Sequence, residues 1–285
     1  MNRVVKRTPV RLLAVAAAIL LLFHSPVASA RIPVDNPTLR DPERDCEELV
    51  PESYSVGPLL GEMGADRTVS VLVLADGLSR KQARLPMTEA SELYSALGVD
   101  LAYRVKPVTF AGHAPDAEGR PAGDVTELFT QLRDEVSGVR PEGTDIVHLL
   151  TSKRLFVWQD GDGDGEPDES ERTYGAAGVA FCIGGVRWDE TSFAMSQART
   201  DDPTWTIEEA GITMAHELGH LLGGQHQHAN CVDGTAQGPQ EGRVRPCTVM
   251  FAATYDLGTL HTMSTEWART EAAVIRGHVE AYTGP

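Results

Sequence analysis

The sequence predicts an α/β fold, because strand-like and helix-like segments alternate from residue 67 onward. Residues 67–76 are a mostly apolar run rich in valine, as expected of a central strand. Residues 79–97 then carry apolar side chains at the spacing of one helical face. Residues 100–110 alternate between apolar and polar side chains, which predicts a second strand.

Later segments continue this alternation. Residues 124–136 have helical spacing of apolar side chains, and residues 145–151 predict a third strand. His148 lies in the middle of that strand, where a single histidine is more often a hydrogen-bonded core residue than a metal ligand. Further strands are predicted at residues 155–159 and 192–197, and further helices at residues 206–222 and 265–281.

The first thirty residues predict a cleavable secretion signal. A basic start precedes an apolar run over residues 12–23, and residues 28–30 (ASA) form a small-residue cleavage site. The apolar run is shorter than the roughly 20 residues that span a bilayer, so retention as a membrane anchor is the weaker interpretation. We expect export of the chain and cleavage near Ala30.

The exported chain would be strongly acidic. Residues 1–30 contain four of the 25 basic residues and none of the 41 acidic ones, so the remainder has a formal net charge of −20. This charge disfavours binding to nucleic acid or to an anionic membrane surface. Residues 31–65 are rich in proline and charge without periodicity, and they predict an N-terminal extension. Residues 66–285 would form one catalytic domain.

Residues 216–226 read HExxHxxGxxH, which predicts a zinc site. On a helix, His216 and His220 lie one turn apart on one face and can present two imidazole nitrogens to one metal ion. Gly223 can adopt the left-handed conformation that ends a helix without steric cost. The chain then turns back, so that His226 supplies a third nitrogen.

Three histidine ligands leave one metal position open, which is typical of catalytic rather than structural zinc. Glu217 follows the first histidine, so its carboxylate is expected to hold a water molecule rather than to bind the metal. These groups predict hydrolysis of a peptide bond, with Glu217 as the general base that later protonates the departing amine. Chance histidines on an amphipathic helix are the alternative, but five fixed positions rarely coincide.

A second motif, at residues 160–171, predicts a calcium-binding loop. Oxygen donors fall at loop positions 1, 3, 5, 9 and 12, and the glycine at position 6 allows a sharp turn. The expected ligands are the carboxylates of Asp160, Asp162, Asp164, Asp168 and Glu171 and the main-chain carbonyl of Glu166. The flanking segments are not those of an EF-hand, so we expect an isolated structural Ca²⁺ loop between strands. A solvated acidic turn is the alternative, but crowded carboxylates repel one another unless a cation joins them.

The four cysteines predict two disulfides, because an exported chain encounters an oxidising compartment. Three pairings are possible. We favour Cys231 with Cys247, because these two residues flank the segment that follows the zinc motif. This choice leaves Cys46 to pair with Cys182 and to join the N-terminal extension to the domain.

The zinc motif followed by Met250 resembles the metzincin metallopeptidases, and the cysteine in residues 246–251 (PCTVMF) makes the reprolysin (adamalysin) branch the most similar. The resemblance implies a twisted, mostly parallel sheet with helices. It also implies an upper half that ends at Gly223 and a smaller C-terminal half that carries His226. Met250 would pack beneath the metal histidines in a methionine turn, without a chemical step of its own.

The same resemblance implies an edge strand in residues 174–182 that pairs with an extended substrate. Gly175, Ala177 and Val179 are the expected substrate-binding residues. Some latent metzincins use a propeptide cysteine as a zinc ligand, which makes this role a rival to disulfide formation for Cys46. The neighbours of Cys46 do not match that motif.

The chain departs from the family pattern near the zinc motif. Gln227 stands where reprolysins commonly have aspartate, and one extra residue separates Cys247 from Met250. Ala252 stands where astacin-like and serralysin-like members have tyrosine. These differences concern the branch of the family and leave the predicted zinc ligands unchanged.

Together these observations predict a secreted zinc endopeptidase that uses one catalytic Zn²⁺ and one structural Ca²⁺. Its partners would be protein or peptide substrates, with no nucleic acid and, after signal cleavage, no membrane. We expect a monomer. The alternative is a secreted interaction module that binds calcium and zinc without useful turnover, although the presence of Glu217 favours the enzyme.

Overall fold

The computed structural model describes residues 67–158, 169–174, 177–198, 206–225, 231–232, 245–246, 248–250, 265, 267 and 269–284. The strands are β1 (Arg67–Asp76), β2 (Val99–Val108), β3 (Ala122–Asp124), β4 (Ile146–Thr151), β5 (Arg154–Trp158), β6 (Arg172–Thr173), β7 (Gly178–Ala180), β8 (Phe193–Gln197), β9 (Cys231–Val232) and β10 (Arg245–Pro246). The helices are α1 (Arg80–Ser95), α2 (Val125–Asp134), α3 (Ile207–Leu221) and α4 (Arg269–Tyr282). Short 3-10 turns occupy Glu169–Glu171 and Gly185–Arg187.

Among the described residues, the central sheet has five strands in the order β2-β1-β4-β8-β7. The first four strands are parallel, whereas the edge strand β7 runs antiparallel to β8. Parallel neighbours need a crossover connection, and α1 provides the one between β1 and β2. The predicted α/β fold with a mostly parallel sheet is therefore confirmed.

Apolar side chains cover both faces of this sheet, because alternate residues of a strand point to opposite faces. On one face, Val71 and Val73 of β1 belong to a core that also contains residues of α1, α3 and α4. On the other face, Leu74 belongs to a core with residues of α2 such as Phe129. Helix α3, which carries the zinc motif, is therefore fixed to the sheet by the first of these cores.

Each of the first three helices begins at a polar cap. Ser79 and Thr206 form capping boxes with Gln82 and Glu209 at the starts of α1 and α3. Asp124 accepts a hydrogen bond from a main-chain N–H in the first turn of α2. These contacts satisfy donors that have no partner within a helix. The residues at which the sequence predicts the helices to start, 79, 124 and 206, are thus the N-cap residues of α1, α2 and α3.

Helix α3 packs closely against α1. A Cβ added at Gly211 would lie 2.3 Å from the Cβ of Glu89 and 3.0 Å from the carbonyl oxygen of Pro86. The hydroxyl of Tyr94 donates a hydrogen bond to the carbonyl of Ala215 at 3.0 Å. Only a residue without a side chain allows this approach, which holds the middle of α3 in place.

His148 is a core residue, as predicted. It is fully buried, and its Nε2 lies 2.8 Å from the hydroxyl oxygen of Ser196 on the neighbouring strand. Burial lowers the pKa of His148 from 6.5 to about 3. The imidazole is therefore neutral at physiological pH and belongs to the sheet rather than to a metal site.

The segment that contains the predicted calcium loop joins two antiparallel strands, β5 and β6. Trp158 of β5 lies opposite Arg172 of β6, and the Arg172 guanidinium lies 5.2 Å from the centre of the Trp158 ring. Residues 159–168 lie outside the described residues. Among the described helices, none has both the length and the apolar character that crossing a membrane requires.

Candidate active site

Helix α3 brings together His216, Glu217 and His220, the three ionisable zinc-motif residues that the structure describes. All three side chains are buried, and the helix that holds them begins at the Thr206 capping box. The chain exposes little of this polar cluster because the helix is covered by apolar neighbours along most of its length. A buried polar cluster on a core helix needs a partner for each of its polar atoms.

Main-chain carbonyls fix the orientation of both imidazole rings. The Nδ1 of His216 lies 2.6 Å from the carbonyl oxygen of Val249, and the Nδ1 of His220 lies 2.8 Å from the carbonyl oxygen of Gly224. A carbonyl oxygen can only accept a hydrogen bond, so each Nδ1 must carry the proton. Each Nε2 of a neutral ring is therefore left with a lone pair, as a metal ligand requires.

The two Nε2 atoms face each other at a separation of 3.0 Å. The ring centroids of His216 and His220 are 4.6 Å apart and the rings are nearly perpendicular. Two lone pairs at this distance repel unless a cation lies between them. Tetrahedral zinc with Zn–N bonds of about 2.0–2.1 Å separates two of its ligand nitrogens by ~3.3 Å, so the observed arrangement fits zinc.

The third predicted ligand, His226, lies outside the described residues. Accordingly, no group of three metal-binding side chains occurs within the ranges that the structure describes. The turn that leads towards His226 is described. Gly223 has a φ of 88°, and this left-handed conformation ends α3 as predicted. A Cβ at Gly223 would also lie 2.4 Å from the His278 ring of α4.

Glu217 lies next to the two histidines but is held by the edge strand. Burial raises the pKa of the Glu217 carboxyl from 4.5 to about 8, although a hydrogen bond from the main-chain N–H of Ala180 lowers it in part. A nearby divalent cation would lower this pKa further, because it favours the charged form of the carboxylate. Burial therefore makes the Glu217 carboxylate a stronger base than an exposed one.

Met250 packs beneath the zinc motif, as predicted for the methionine turn. Its side chain is fully buried, and its Sδ would lie 2.6 Å from a Cβ added at Gly219. The preceding residue, Val249, supplies the carbonyl that holds His216. Thr248 donates a hydrogen bond to Glu271 of α4 at 2.6 Å, which ties this turn to the last helix.

The edge strand β7 lies beside Glu217. Gln197 donates a main-chain hydrogen bond to Ala177, and Phe181 donates one to Phe193. Because hydrogen-bonding directions alternate along an antiparallel strand, Val179 also faces β8. The main-chain groups of Ala177 and Val179 therefore point into the sheet. Their role in substrate binding stays a prediction.

The main-chain groups of Gly178 and Ala180 point away from β8, to an edge that is open as far as the described residues show. Gly175, the other predicted substrate-binding residue, lies outside the described residues. The sequence does not indicate these main-chain directions. Alternation along a strand shows which face of the sheet each side chain occupies, but it does not show which edge of the strand is already paired. The unusual closeness of Gly178 to Glu217 also leaves no signal in the sequence.

Several predicted sites involve residues outside the described ranges. Cys46 and Cys247 are among them, and only the main chain of Cys231 is described, whereas Cys182 is described and buried. Both disulfide pairings therefore stay predictions. The same holds for the calcium ligands Asp160, Asp162, Asp164, Glu166 and Asp168, while Glu171 lies in the 3-10 turn before β6.

Comparison with known proteins gives one family match. Residues 82–227 match the family described as Metallo-peptidase family M12B Reprolysin-like. This span runs from the first turn of α1 to just beyond His226, so it includes all of the zinc motif. No curated protein matches the chain.

Among the solved structures that resemble the chain are the following two. One is archaemetzincin from Methanopyrus kandleri, with 20% identity, a TM-score of 0.45, and coverage of 75% of this chain and 96% of that one. The other is a zinc-dependent peptidase from Methanocorpusculum labreanum (strain Z), with 15% identity, a TM-score of 0.41, and coverage of 72% of this chain and 99% of that one.

Proposed function

Because the chain belongs to the M12B reprolysin-like family of metallopeptidases, we propose that it is a secreted, zinc-dependent endopeptidase with Glu217 as its general base. The observation that carries the proposal is the pair of Nε2 atoms, of His216 and His220, that face each other at 3.0 Å. Because each Nδ1 is hydrogen-bonded to a carbonyl, Nε2 is the nitrogen through which each ring would bind the metal.

The proposed metal site consists of His216, His220 and His226. When bound, zinc supplies a Lewis acid that polarises the scissile carbonyl and makes water more acidic. The protein contributes fixed ligands, since neither described ring can turn without losing its hydrogen bond to a carbonyl. Such carbonyl partners also raise the basicity of the ligating nitrogen.

Glu217 handles the proton in this proposal. Its carboxylate takes a proton from the attacking water and delivers it to the nitrogen of the departing amine. Burial of the side chain supports this role, because a carboxylate in a poorly solvated site is a stronger base than one in water. The nearby hydrogen bond from Ala180 keeps the carboxylate in one place between the two transfers.

An extended substrate would pair with the open edge of β7. The main-chain groups of Gly178 and the carbonyl of Ala180 point to that edge, and an exposed strand edge can bind a peptide backbone without regard to its side chains. Pairing along this edge would place the peptide beside Glu217. Substrates would accordingly be protein or peptide segments that can extend, which supports internal cleavage of a chain.

The competing proposal is a secreted interaction module that binds metal but does not turn over substrate. A quenched-peptide or casein assay with and without a zinc chelator separates the two. The peptidase proposal expects cleavage that stops on chelation and returns on addition of zinc. A purified, zinc-loaded protein that cleaves no extended peptide or protein would favour the module.

Export and oligomeric state are further parts of the proposal. The basic start, apolar run and small-residue site of residues 1–30 support secretion and signal removal. N-terminal sequencing of the exported protein should begin close to residue 31, and light scattering should give the mass of one chain. An N-terminus that still includes residues 1–30 would contradict signal cleavage.

The calcium loop is also proposed from its sequence pattern. The described strands on either side of it, β5 and β6, pair antiparallel. This geometry suits a loop that closes around one ion, because ligands from both ends of the loop can converge. The proposed role of Ca²⁺ is structural.

A further inference from the structure

We propose that the edge strand β7 positions the general base, with Gly178 leaving the space that the Glu217 side chain fills and Ala180 holding its carboxylate. This inference rests on the proposed role of Glu217 and deepens it. Gly178 and Ala180 are positioning residues, because they act on the reaction through Glu217.

The first observation is steric. A Cβ added at Gly178 would lie 2.6 Å from Cγ and 2.7 Å from Oε1 of Glu217. Real Cβ atoms essentially never approach another heavy atom this closely, so one of the two groups would have to move. The same Cβ would lie 2.9 Å from the carbonyl oxygen of Met195 on β8. The strand therefore cannot move towards β8 to relieve the contact.

The second observation is the hydrogen bond from the main-chain N–H of Ala180 to the Glu217 carboxylate. Neighbouring odd-numbered residues of this segment direct their main-chain groups to β8. Ala180 therefore directs its N–H towards the open edge. Glu217 occupies a donor that would otherwise be free to pair with a substrate.

These two contacts restrain Glu217 from different sides. The absence of a side chain at Gly178 leaves room for Cγ of Glu217. The main-chain N–H of Ala180 holds the Glu217 carboxylate in one position. A displacement of about 1 Å in a catalytic group can lower the rate by about 100-fold. The strand that would align the substrate backbone thus also aligns the Glu217 carboxylate. The position of the base relative to the substrate is therefore set by the three residues of β7, Gly178–Ala180.

A double-mutant cycle tests the steric contact without depending on catalysis. Gly178→Ala should lower the melting temperature of the zinc-loaded protein by several degrees. The loss should be clearly smaller in a Glu217→Ala background, because that variant has neither the Cγ nor the Oε1 that the new methyl group meets. Equal losses in the two backgrounds would overturn the steric part of the inference.

Gly123→Ala is the matched control. A Cβ at Gly123 would lie 2.7 Å from Cδ1 of Leu128, which is a similar contact with a side chain, but it lies in the separate sheet of β3, β5 and β6. Its effect on the melting temperature should be the same with Glu217 or Ala at position 217. A coupling as large as that of Gly178 would show that the cycle reports general destabilisation.

Kinetics test the positioning role. In the Gly178→Ala protein, kcat for a quenched peptide should fall by about 10- to 100-fold, while zinc content stays at one per chain and KM changes less than about threefold. Glu217→Asp shortens the base by one methylene, and its cost in kcat should be smaller in the Gly178→Ala background than in the wild type. The inference would be overturned if Glu217→Asp lowered kcat equally in both backgrounds, or if Gly178→Ala left kcat unchanged.

The two readouts distinguish failure of this inference from failure of the proposed function. The effect of Gly178→Ala on the melting temperature can depend on Glu217 even if neither the wild type nor any variant cleaves a peptide. In that case Gly178 still makes room for Glu217, but the peptidase proposal fails. If the wild type cleaves peptides and neither readout is coupled, the peptidase proposal stands and the role of Gly178 is wrong.

Discussion

Met250 and Gly219 are in direct contact across the base of the active site, where a Cβ at Gly219 would lie only 2.6 Å from the Met250 sulfur. The sulfur therefore lies in a space that exists because residue 219 has no side chain. Met250 has no accessible surface, and it follows the residue whose carbonyl holds His216. Its packing and the position of the first zinc ligand are thus linked.

Removal of the Met250 side chain should destabilise the protein. Met250→Ala leaves a cavity beneath the zinc motif and should lower the free energy of unfolding by about 2–5 kcal/mol. Met250→Leu keeps the volume and is the matched control, with an expected loss below about 1.5 kcal/mol. Urea denaturation of both variants measures the difference. Equal stability of Met250→Ala and the wild type would show that the residue does not support this site.

The stability of the protein should fall in acid partly because of His148. In the unfolded chain this histidine gains a proton as the pH falls through 6.5, whereas in the folded protein its pKa is about 3. The unfolded state binds more protons between these values, so stability decreases as the pH falls. At pH 5 this difference amounts to about 2 kcal/mol.

His148→Gln tests this acid dependence, because an amide does not gain a proton in this range. The loss of unfolding free energy between pH 7 and pH 5 should be about 2 kcal/mol smaller in the variant than in the wild type, with both proteins free of metal. Denaturant unfolding at the two pH values provides the measurement. Parallel losses would mean that the folded protein accepts the proton, and that burial does not keep His148 neutral.

Calcium should raise the melting temperature of the zinc-loaded protein. Free calcium at 100 times its dissociation constant adds about 2.7 kcal/mol, which corresponds to a few degrees in a domain of this size. The matched variant replaces both Asp162 and Asp164 with Asn, and it should respond much less. A wild type that is indifferent to calcium would make residues 160–171 a solvated acidic turn.

The exported protein should contain no free thiol. Non-reducing peptide mapping should join Cys231 to Cys247 and Cys46 to Cys182, because an oxidising compartment favours complete pairing. Mass spectrometry after thiol alkylation gives the count of free cysteines. A free Cys46 would instead support its role as a zinc ligand in a latent form.

Much of the fold could be predicted because its local signals agree with its packing. Arg67–Asp76 is a strand with the predicted bounds, since its valines suit a sheet that is covered on both faces. Ser79, Asp124 and Thr206 cap helices where the apolar periodicity begins. The zinc motif was predictable for the same reason, because helical spacing alone places His216 and His220 together.

Other features depend on contacts between distant segments and were not predictable. The carbonyl of Val249 holds His216 across 33 residues of chain, and a main-chain partner has no characteristic residue type. The main-chain directions of Ala177 and Val179 depend on the pairing of β7 with β8, which no local pattern in the sequence indicates. The space at Gly178 is likewise apparent only when Glu217 is placed against it.

The central claim is that Glu217 acts as a base while the histidines hold the metal, and it is tested most directly by measuring zinc content and peptide cleavage in the same preparations. Glu217→Ala should keep about one zinc per chain and lose cleavage, because a carboxylate that moves a proton is not a ligand. His220→Ala should lose both, because it removes one of the two nitrogens that lie 3.0 Å apart. A Glu217→Ala protein that cleaves peptides near the wild-type rate, or one that has lost its zinc, would contradict the account.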